Sequence, residues 1–541
     1  MTNSIRDIAE DTKCYFIIGS NTTEQHPVIG IQIRQAVKRR EAKLILADPR
    51  RLDLADIATI HLKHKPGTDI ALLNSLMNVI IAEDLWDHEF VESRTEGFED
   101  LKAAVLKYTP EYASEITGVP AEDILEAARL LATTKPASLL YAMGITQHIC
   151  GHQNVLSCAN LQMLLGNMGI AGGGVNPLRG QNNVQGACDM GGLPNVYPGY
   201  QAVTIDAIQK KFEQAWGVPL SAEIGTTVVH MFGRAEAGDL KAMYVIGENP
   251  MMSDPDVEHV RHCLEALDFL VVQDIFMTET AEMADVILPA TSFAEKDGTF
   301  TNTERRIQRV RKAIDPVGES MSDWEILSAL GARVQEQRFE APTAGEFASW
   351  DYAHPSDVMD EIAALTPIYG GISYDRIEKI GLQWPCPTQD HPGTEILHAG
   401  RFSRGIGHLS AVEWIPPDEQ PDEEYPLTLT TGRVLEHFHT GSMTRRVEGL
   451  NQLQPEETLR IHPHDAQTLG LQNGDWTTVT SRRGQIRVRA QVTPRVQPGV
   501  VFLTFHFAEA LGNVLTNPAL DPVAKIPELK VCAVKVEAGE T

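Results

Sequence analysis

Short apolar runs, most of them followed at once by glycine or aspartate, recur along the first half of the chain. They are rich in Val, Ile, Leu or aromatic residues, which is typical of buried parallel strands. Five such strands are predicted, at 14–18, 43–47, 138–142, 242–246 and 269–273. Helical patterns separate them, as at 69–83 and 121–133. This alternation predicts an open α/β sheet.

A faint repeat divides this α/β region. Gly19 ends the first run and precedes Asp48 by 29 residues, while Gly247 precedes Asp274 by 27 residues. A second shared motif, Ala-Asp followed by Ile or Val, comes later in each copy, at 55–57 and 284–286. We interpret the copies as two Rossmann-like halves, each with a glycine turn and a carboxylate at the strand ends where such sheets bind nucleotides. The alternative is that glycine or aspartate after a strand is a common feature of α/β loops and has no role in binding.

The pattern changes after residue 384. Seven prolines and an acidic stretch at 418–424 mark 384–426 as an irregular linker. From Leu427 onward the pattern is that of strands, with apolar and polar residues alternating over 486–492 and turn pairs at 473–474 and 483–484. The sequence therefore predicts a small β-barrel at the end of the chain.

The charge balance narrows the function classes. Lys and Arg total 46 and Asp and Glu total 73, so the formal charge is 46 − 73 = −27. Such a surface repels nucleic acid and anionic lipid. No run of about 18 apolar residues predicts a membrane span, and the first residues show no secretory signal. The seven cysteines include no Cys-x-x-Cys pair, so we expect no iron–sulfur cluster on these residues and a reducing, cytoplasmic location.

The most distinctive segment is the loop at 172–191. Glycine, asparagine and glutamine make up most of it, and Arg179 is its one cation. Amides offer donors and acceptors to a polar ligand, glycines allow close backbone approach, and a guanidinium forks onto a carboxylate or phosphate. The alternative is a structural Ω-loop whose arginine forms a surface salt bridge.

This segment closely resembles the formate dehydrogenase catalytic subunits of the molybdopterin oxidoreductase superfamily. Four other segments resemble the same family: Met143-Gly-Ile-Thr-Gln, Glu295-Lys-Asp-Gly-Thr-Phe-Thr-Asn-Thr-Glu-Arg-Arg, Thr431-Gly-Arg-Val-Leu-Glu-His-Phe-His-Thr, and the stretch 517–530. The resemblance covers essentially the whole chain. It implies one molybdenum or tungsten held between two molybdopterin guanine dinucleotides, so two nucleotide tails would match the two halves.

The resemblance also implies roles for individual residues. Arg179 would orient formate. One dinucleotide tail would be held by Gly19, Asn21, Glu24, Asp48, Pro49, Arg50, Gly67 and Asp69. The pterin would be lined by Met143, Gly144, Gln147, Gln181, Asn182 and Asn183. The other half would contribute Gly247, Asn249 and Asp274, and the barrel Arg433, His437, His439 and Asn517. The repeat lends independent support to Asp48 and Asp274 only.

For three histidines, alternatives to a role in cofactor binding or catalysis stay open. His437 and His439 could bind zinc, but no third ligand is suitably spaced, or they could be ordinary polar side chains of the barrel. His26, which precedes a proline, is interpreted as a structural hydrogen-bonding residue rather than a base.

The chain departs from the family in one respect. Full-length members begin with a cluster-binding cysteine motif and carry a selenocysteine or cysteine that ligates the metal, and neither is present here. We therefore expect about 150 residues upstream of Met1 to hold the 4Fe-4S cluster and the metal ligand, with no metal ligand from Met1 onward. The expected domains are 1–181 (first α/β), 182–310 (second α/β, lacking its N-terminal half), 311–425 (α-rich or irregular connection) and 426–541 (barrel).

The sequence thus predicts part of a formate dehydrogenase catalytic subunit, inactive alone, that oxidises formate to CO2. Its expected partners are formate, the missing N-terminal segment, and iron–sulfur or NAD-linked electron-transfer subunits. Two alternatives stay open. One is a non-catalytic molybdopterin-binding or scaffold protein. The other is an oxidoreductase of the superfamily with another substrate, such as nitrate.

Overall fold

A computed structural model describes residues 1–338 and 345–539. Parts of two predicted domains, 339–344 in the connection and 540–541 at the end of the barrel, lie outside the described residues. The chain forms two compact units, of which the first contains 1–180, 250–260 and the residues from 396 onward. The second contains 181–249 and 261–395. The finer division into four domains stays a prediction.

Helices alternate with strands along the α/β region, as the sequence predicts. They are α1 Ile5–Asp11, α2 Thr22–Gln25, α3 Pro27–Arg40, α4 Asp69–Ala82, α5 His88–Arg94, α6 Phe98–Val105, α7 Pro110–Thr117, α8 Ala121–Thr133, α9 Met143–Thr146, α10 Gly151–Leu164, α11 Val184–Asp189, α12 Asp206–Trp216, α13 Val228–Glu236, α14 Pro250–Ser253, α15 Val257–Glu265, α16 Asp323–Arg338, α17 Pro355–Leu365, α18 Glu448–Leu453 and α19 Pro463–Thr468.

The strands are mostly short. They are β1 Cys14–Ile18, β2 Lys43–Ala47, β3 Ile60–Leu62, β4 Thr95–Glu96, β5 Ala137–Tyr141, β6 Val175–Pro177, β7 Val196–Tyr197, β8 Gln201–Ala202, β9 Ala242–Ile246, β10 Phe269–Asp274, β11 Val286–Pro289, β12 Gly298–Thr301, β13 Arg306–Val310, β14 Leu382–Gln383, β15 Gly407–His408, β16 Leu427–Gly432, β17 Thr458–Ile461, β18 Trp476–Thr480, β19 Gln485–Val492, β20 Val500–Thr504 and β21 Cys532–Ala538.

The first unit is built on a parallel sheet with the strand order β3-β2-β1-β5-β6. Every residue of β1 and β5 is buried, which explains why these strands are continuous apolar runs. β5 begins one residue earlier than predicted. Helix α4 is apolar on nearly all sides, and 11 of its 14 residues are buried, so it is an internal helix of this unit.

The second unit contains a smaller parallel sheet, β11-β10-β9, and reproduces the predicted repeat in atomic detail. The Gly19 amide donates to the Ala47 carbonyl at 3.1 Å, and the Gly247 amide donates to the Gln273 carbonyl at 2.8 Å. Both glycines have positive φ, 58° and 61°. In each half a glycine therefore turns the chain beside the end of the next strand.

The carboxylates of the repeat agree as well. Asp48 Oδ1 accepts the amide two residues later at 2.9 Å, and Asp274 Oδ1 does the same at 3.1 Å.

The two Ala-Asp motifs do not occupy equivalent positions in the two halves, so that part of the predicted repeat is wrong. Asp285 Oδ2 accepts the Leu270 amide of β10 at 2.7 Å. In the first half, the Thr59 hydroxyl accepts the equivalent amide of β2. Asp56 lies instead on an exposed turn, where it pairs with Arg51.

The predicted barrel is confirmed. Six strands close in the order β16-β20-β17-β19-β18-β21, and β19 alternates buried and outward residues as its sequence predicts. The inward side chains form one core of Leu, Ile and Val. The fold class predicted from the sequence, two Rossmann-like halves followed by a β-barrel, is therefore correct.

Candidate functional site

The strand order of the first sheet reverses between β1 and β5, and the loops after these strands touch. The Gly144 amide donates to the Gly19 carbonyl at 3.0 Å. A Cβ on Gly19 would lie 2.7 Å from the Gly144 carbonyl carbon, and one on Gly144 would lie 2.6 Å from Gly19 Cα. Only glycine allows this approach. In open α/β sheets, ligands bind at such a reversal of strand order, outside the carboxyl ends of the strands.

The segment after Gly19 carries polar atoms that lack partners. Glu24 Oε2, Gln25 Nε2 and His26 Nδ1 are buried and accept or donate no hydrogen bond within the part of the chain that the structure describes. Buried polar atoms are rarely left in this state unless a ligand or water meets them. Asn21, at the start of α2, is also buried. This segment therefore has the polar capacity to hold a ligand.

His26 ties this segment to the distinctive loop. Its Nε2 lies 2.8 Å from the carbonyl oxygen of Arg179, which can only accept, so His26 donates. Burial lowers the pKa of His26, and the charge of Arg433 adds to the effect. The imidazole is therefore a neutral structural donor, as predicted. Arg179 follows β6 and so lies at the same sheet edge as Gly19 and Gly144.

The first residues of the sequence pack against the first sheet. Its side chain is buried and belongs to the apolar core that also contains Ile8 of α1 and Tyr15 of β1. The next residue is fixed as well, since the Thr2 amide donates to the Val175 carbonyl of β6 at 3.1 Å. Met1 is therefore a packing residue. The metal ligand expected upstream of Met1 lies outside this sequence and stays a prediction.

Asp48, Pro49 and Arg50 connect this edge to the barrel. Arg50 Nε lies 3.9 Å from Asp48 Oδ1, and the Pro49 carbonyl accepts from Gln497 Nε2 at 3.0 Å. The Arg50 guanidinium stacks over the Phe502 ring of β20 at 4.0 Å.

Gly67 and Asp69 lie further along and have partners inside the chain. A Cβ on Gly67 would come within 2.4 Å of Pro417. Asp69 Oδ1 is 3.1 Å from His64 Nε2, and its Oδ2 is 3.8 Å from His148 Nε2. The cofactor roles proposed for both residues stay predictions.

The remaining pterin candidates are divided between the units. Met143 is partly exposed, and its carbonyl accepts from the amide of Gln147 at 3.0 Å. Gln181, Asn182 and Asn183 belong to the second unit. Asn183 Oδ1 accepts the Thr301 amide at 2.9 Å, so this side chain also supports the local fold.

In the second half, Gly247 differs from Gly19 in its surroundings. No described atom lies within 4 Å of a Cβ built on Gly247. Asn249 is buried and accepts from Thr280 Oγ1 at 2.7 Å while donating to Glu279 at 2.8 Å. Asn249 therefore fastens the loop after β10 to the end of β9, next to Asp274.

The barrel residues have contrasting environments. His437 Nε2 donates to the Gln454 carbonyl at 2.8 Å, which agrees with an ordinary polar barrel side chain. Burial lowers the pKa of His439 to about 4, and the charge of Arg433 contributes. Asn517 donates to Glu528 at 3.2 Å and accepts the Ala519 amide at 2.6 Å.

Arg433 packs against the glycine that follows Arg179. A Cβ on Gly180 would lie 2.5 Å from Arg433 Nη1. Burial lowers the pKa of Arg433 to about 10, and no carboxylate of the described residues pairs with it. A buried cation without a counter-charge is costly unless an anion joins it.

Sequence reasoning missed two further cations, Arg460 and Lys530. The Arg460 guanidinium lies 5.1 Å from the centre of the Phe502 ring. Lys530 Nζ donates to the Thr431 carbonyl at 2.8 Å, and burial together with the charges of Arg433 and Arg50 lowers its pKa to about 7. We call Arg50, Arg433, Arg460 and Lys530 the basic cluster. Nothing local in the sequence signals it, because its members converge only in the fold.

Comparison with known proteins gives this geometry a context. Residues 1–333 match the family described as molybdopterin oxidoreductase, and residues 427–533 match the molydopterin dinucleotide binding domain. The chain belongs to the molybdopterin oxidoreductase family.

Within this family, the chain is similar to formate dehydrogenase subunits. It is 51% identical over 540 residues to F420-dependent formate dehydrogenase 1 subunit alpha of Methanococcus maripaludis, covering 99% of this chain and 78% of that protein. It is 40% identical to formate dehydrogenase H of Escherichia coli, covering 99% and 74%. The fold is also that of acetylene hydratase from Pelobacter acetylenicus, with a TM-score of 0.76 at 22% identity over 99% of this chain and 79% of that one. Among the described residues, no helix has the length and apolarity needed to cross a membrane.

The two repeat glycines provide a matched test of the close approach at the sheet edge. Both have positive φ, so alanine costs each about 1–2 kcal/mol of backbone strain. Only Gly19→Ala also drives a methyl group into the backbone of Gly144, which we expect to cost about 1–3 kcal/mol more. Urea unfolding of Gly19→Ala and Gly247→Ala measures the difference. Equal losses in the free energy of unfolding would mean that the backbone at Gly144 can shift to accommodate a methyl group on residue 19, and would contradict a tight contact.

Proposed function

We propose that the chain is part of a formate dehydrogenase catalytic subunit, which oxidises formate to CO2 with a cofactor of two molybdopterin guanine dinucleotides and one molybdenum or tungsten. The observation that carries the proposal is the sheet edge where Gly19 meets Gly144, with Arg179 following the neighbouring strand. The family match and the names of the relatives support the chemistry.

The residues present fit a dinucleotide. The partnerless buried atoms of Glu24, Gln25 and His26 are suited to the polar edge of a base or ribose. The basic cluster supplies cations for a diphosphate, on a chain whose formal charge is −27. When bound, the cofactor supplies the metal centre that takes two electrons from formate.

Arg179 holds the substrate in this proposal. A formate carboxylate that enters a closed site loses its hydration, and a guanidinium replaces that hydration with two parallel hydrogen bonds. Two bonds also fix the direction of the C–H bond, which a single point charge cannot do. The His26 hydrogen bond to the Arg179 carbonyl fixes the backbone from which this side chain extends.

Further polypeptide completes the proposed enzyme. The second sheet supports this, because β9 and β11 expose Ile246, Val286 and Ile287, whereas the strands β1 and β5 are fully buried. We propose that additional chain carrying a 4Fe-4S cluster and the metal ligand covers this face. Electron-transfer subunits of the iron–sulfur or NAD-linked kind would then receive the electrons.

Arg179→Lys tests the substrate role. In the holoenzyme we expect unchanged metal and pterin content but a fall of about 10²–10³ in formate kcat/KM, because about 3–4 kcal/mol of oriented charge contact is lost. Both quantities are measured on one preparation. The exposed Arg129→Lys is the matched control and should leave both unchanged.

Two results would contradict this assignment. Unchanged formate kinetics in Arg179→Lys would make Arg179 structural. Loss of pterin together with activity would transfer it from the substrate to the cofactor.

Lys530→Met tests the basic cluster as a diphosphate site. Because the pKa of Lys530 is about 7, its charged form prevails below that pH, and we expect wild-type affinity for guanosine diphosphate to fall as pH rises through 7. Lys530→Met should bind about tenfold more weakly at pH 6, equivalent to about 1.4 kcal/mol, with a flatter pH dependence. Calorimetric titration measures both.

The same variant separates binding from folding. Removing the charge relieves repulsion from Arg50 and Arg433, which offsets the lost hydrogen bond to the Thr431 carbonyl, so the thermal midpoint of the ligand-free protein should change little at pH 6. Wild-type affinity and pH dependence in Lys530→Met would exclude Lys530 from the site.

A further inference from the structure

A buried set of four ionisable side chains joins the first sheet to the barrel, and of the four only Asp69 has a predicted cofactor role. His64, Asp69, His148 and Glu528 are each almost fully buried. Asp69 lies between the two histidines, 3.1 Å from His64 Nε2 and 3.8 Å from His148 Nε2. Glu528 lies on the other side of His148, with Oε1 4.0 Å from His148 Nδ1.

The charges of Asp69 and His64 balance. Burial disfavours the charge on both groups, but their mutual attraction and hydrogen bond more than offset it, so the pKa of His64 is raised and that of Asp69 is lowered. This pair is therefore ionised and neutral overall.

The tautomer of His148 follows from one contact. Its Nε2 lies 2.8 Å from the carbonyl oxygen of Gly144, and a carbonyl can only accept, so Nε2 carries the hydrogen. Burial lowers the pKa of His148 and outweighs the opposing effects of the Asp69 charge and of the hydrogen bond to Gly144, while the charges of Lys530 and His64 lower this pKa further. His148 is therefore neutral, and its Nδ1 bears a lone pair.

That lone pair has no donor. His148 Nδ1 is buried and makes no hydrogen bond among the residues that the structure describes. A buried acceptor in this state costs free energy. The polar atom that faces it is Glu528 Oε1.

Glu528 is itself held in place by three donors. Its Oε1 accepts the Ile149 amide at 3.3 Å. Its Oε2 accepts the Asp418 amide at 3.1 Å and Asn517 Nδ2 at 3.2 Å. Burial, with a contribution from the charge of Asp418, raises the pKa of Glu528 to about 7.

Asp521 and Cys150 are the other ionisable groups beside Glu528. Asp521 accepts the His152 amide at 2.9 Å near the start of α10. Burial raises the pKa of Cys150 to about 12, and the charges of Asp69 and Glu528 add to this, so this thiol stays neutral.

We propose that Glu528 and His148 form a proton-binding site in which a proton on Glu528 is directed to His148 Nδ1, and His148 in turn holds the Gly144 carbonyl. The two are positioning residues for the turn at 143–147, which contacts Gly19 on its other side. A shift of about 1 Å closes the gap between carboxyl and imidazole to a normal hydrogen bond. Loss of the proton leaves a carboxylate facing a lone pair, and the turn loosens.

The proton site does not depend on the proposed catalytic function, so it is tested on the full chain without cofactor. Infrared difference spectra between pH 5 and 9 should show a carboxylic-acid carbonyl band that disappears with a midpoint near 7. Burial also raises the pKa of Glu457 to about 7, so one component of the band should be lost from Glu528→Gln and kept in Glu457→Gln. Glu424→Gln, whose side chain is exposed, should leave the band unchanged. Nitrogen NMR should show His148 protonated at Nε2 only.

A second readout follows the turn. The hydrogen bond from the Gly144 amide to Gly19 should lose exchange protection in the wild type as pH rises through 7, beyond the intrinsic rise in exchange rate. Glu528→Gln cannot ionise and should keep this protection. Its thermal midpoint should gain on the wild type as pH rises from 4.5 to 7, since a raised folded-state pKa gives stability that is lost over that range.

Three outcomes would overturn the inference. Glu528→Gln could leave the wild-type infrared band unchanged, His148 could be protonated at Nδ1, or the Gly144 amide could exchange alike in wild type and Glu528→Gln at all pH values. If the chain passes these tests but the complete holoenzyme does not oxidise formate, only the proposed function is contradicted.

Discussion

The contact of two glycine backbones at the edge of the first sheet is the constraint on which the site depends. Gly19 ends β1 and Gly144 lies one residue into the helix after β5, and neither has room for a Cβ. The strand order reverses between these strands, and ligands of open α/β sheets bind at such a reversal. The segment at 21–26, the Asp48–Arg50 turn and the Arg179 loop all reach the sheet edge through this arrangement.

Electrostatics work against the overall composition at this edge. The chain has a large excess of carboxylates, yet burial, together with the nearby charges of Arg433 and Arg50, lowers the pKa of Lys530 to about 7. Mutual repulsion of buried cations costs stability in the absence of a ligand. In the proposed function, a bound diphosphate would offset this cost.

The sequence predicted what is local. A run such as 14–18 followed by Gly19 fixes a strand and its turn within a few residues, and the repeat revealed the second half in the same way. The prediction that Asp56 and Asp285 are equivalent was wrong, because a shared two-residue motif carries no information about hydrogen bonding. The loop at 172–191 was found by its composition, since neither helix nor strand requires it.

What the sequence could not predict depends on residues far apart in the chain. Lys530 and Arg460 join Arg50 only after the barrel has packed against the sheet. The same holds for Glu528, which is 380 residues from His148 in the sequence (528 − 148) and 4.0 Å from it in space. Asn249 and His437 were predicted as cofactor contacts from resemblance, and their hydrogen bonds to Thr280 and Gln454 became visible only in three dimensions.

The most direct test of the account is the number of guanine nucleotides per metal atom in the purified holoenzyme. Two α/β halves, each with a glycine turn and a strand-end carboxylate, are proposed to hold one dinucleotide tail each. Acid release and quantification of the nucleotide, with metal analysis on the same sample, should therefore give two guanine nucleotides for each molybdenum or tungsten. A ratio of one, or metal without any guanine nucleotide, would contradict the claim that both halves bind the cofactor.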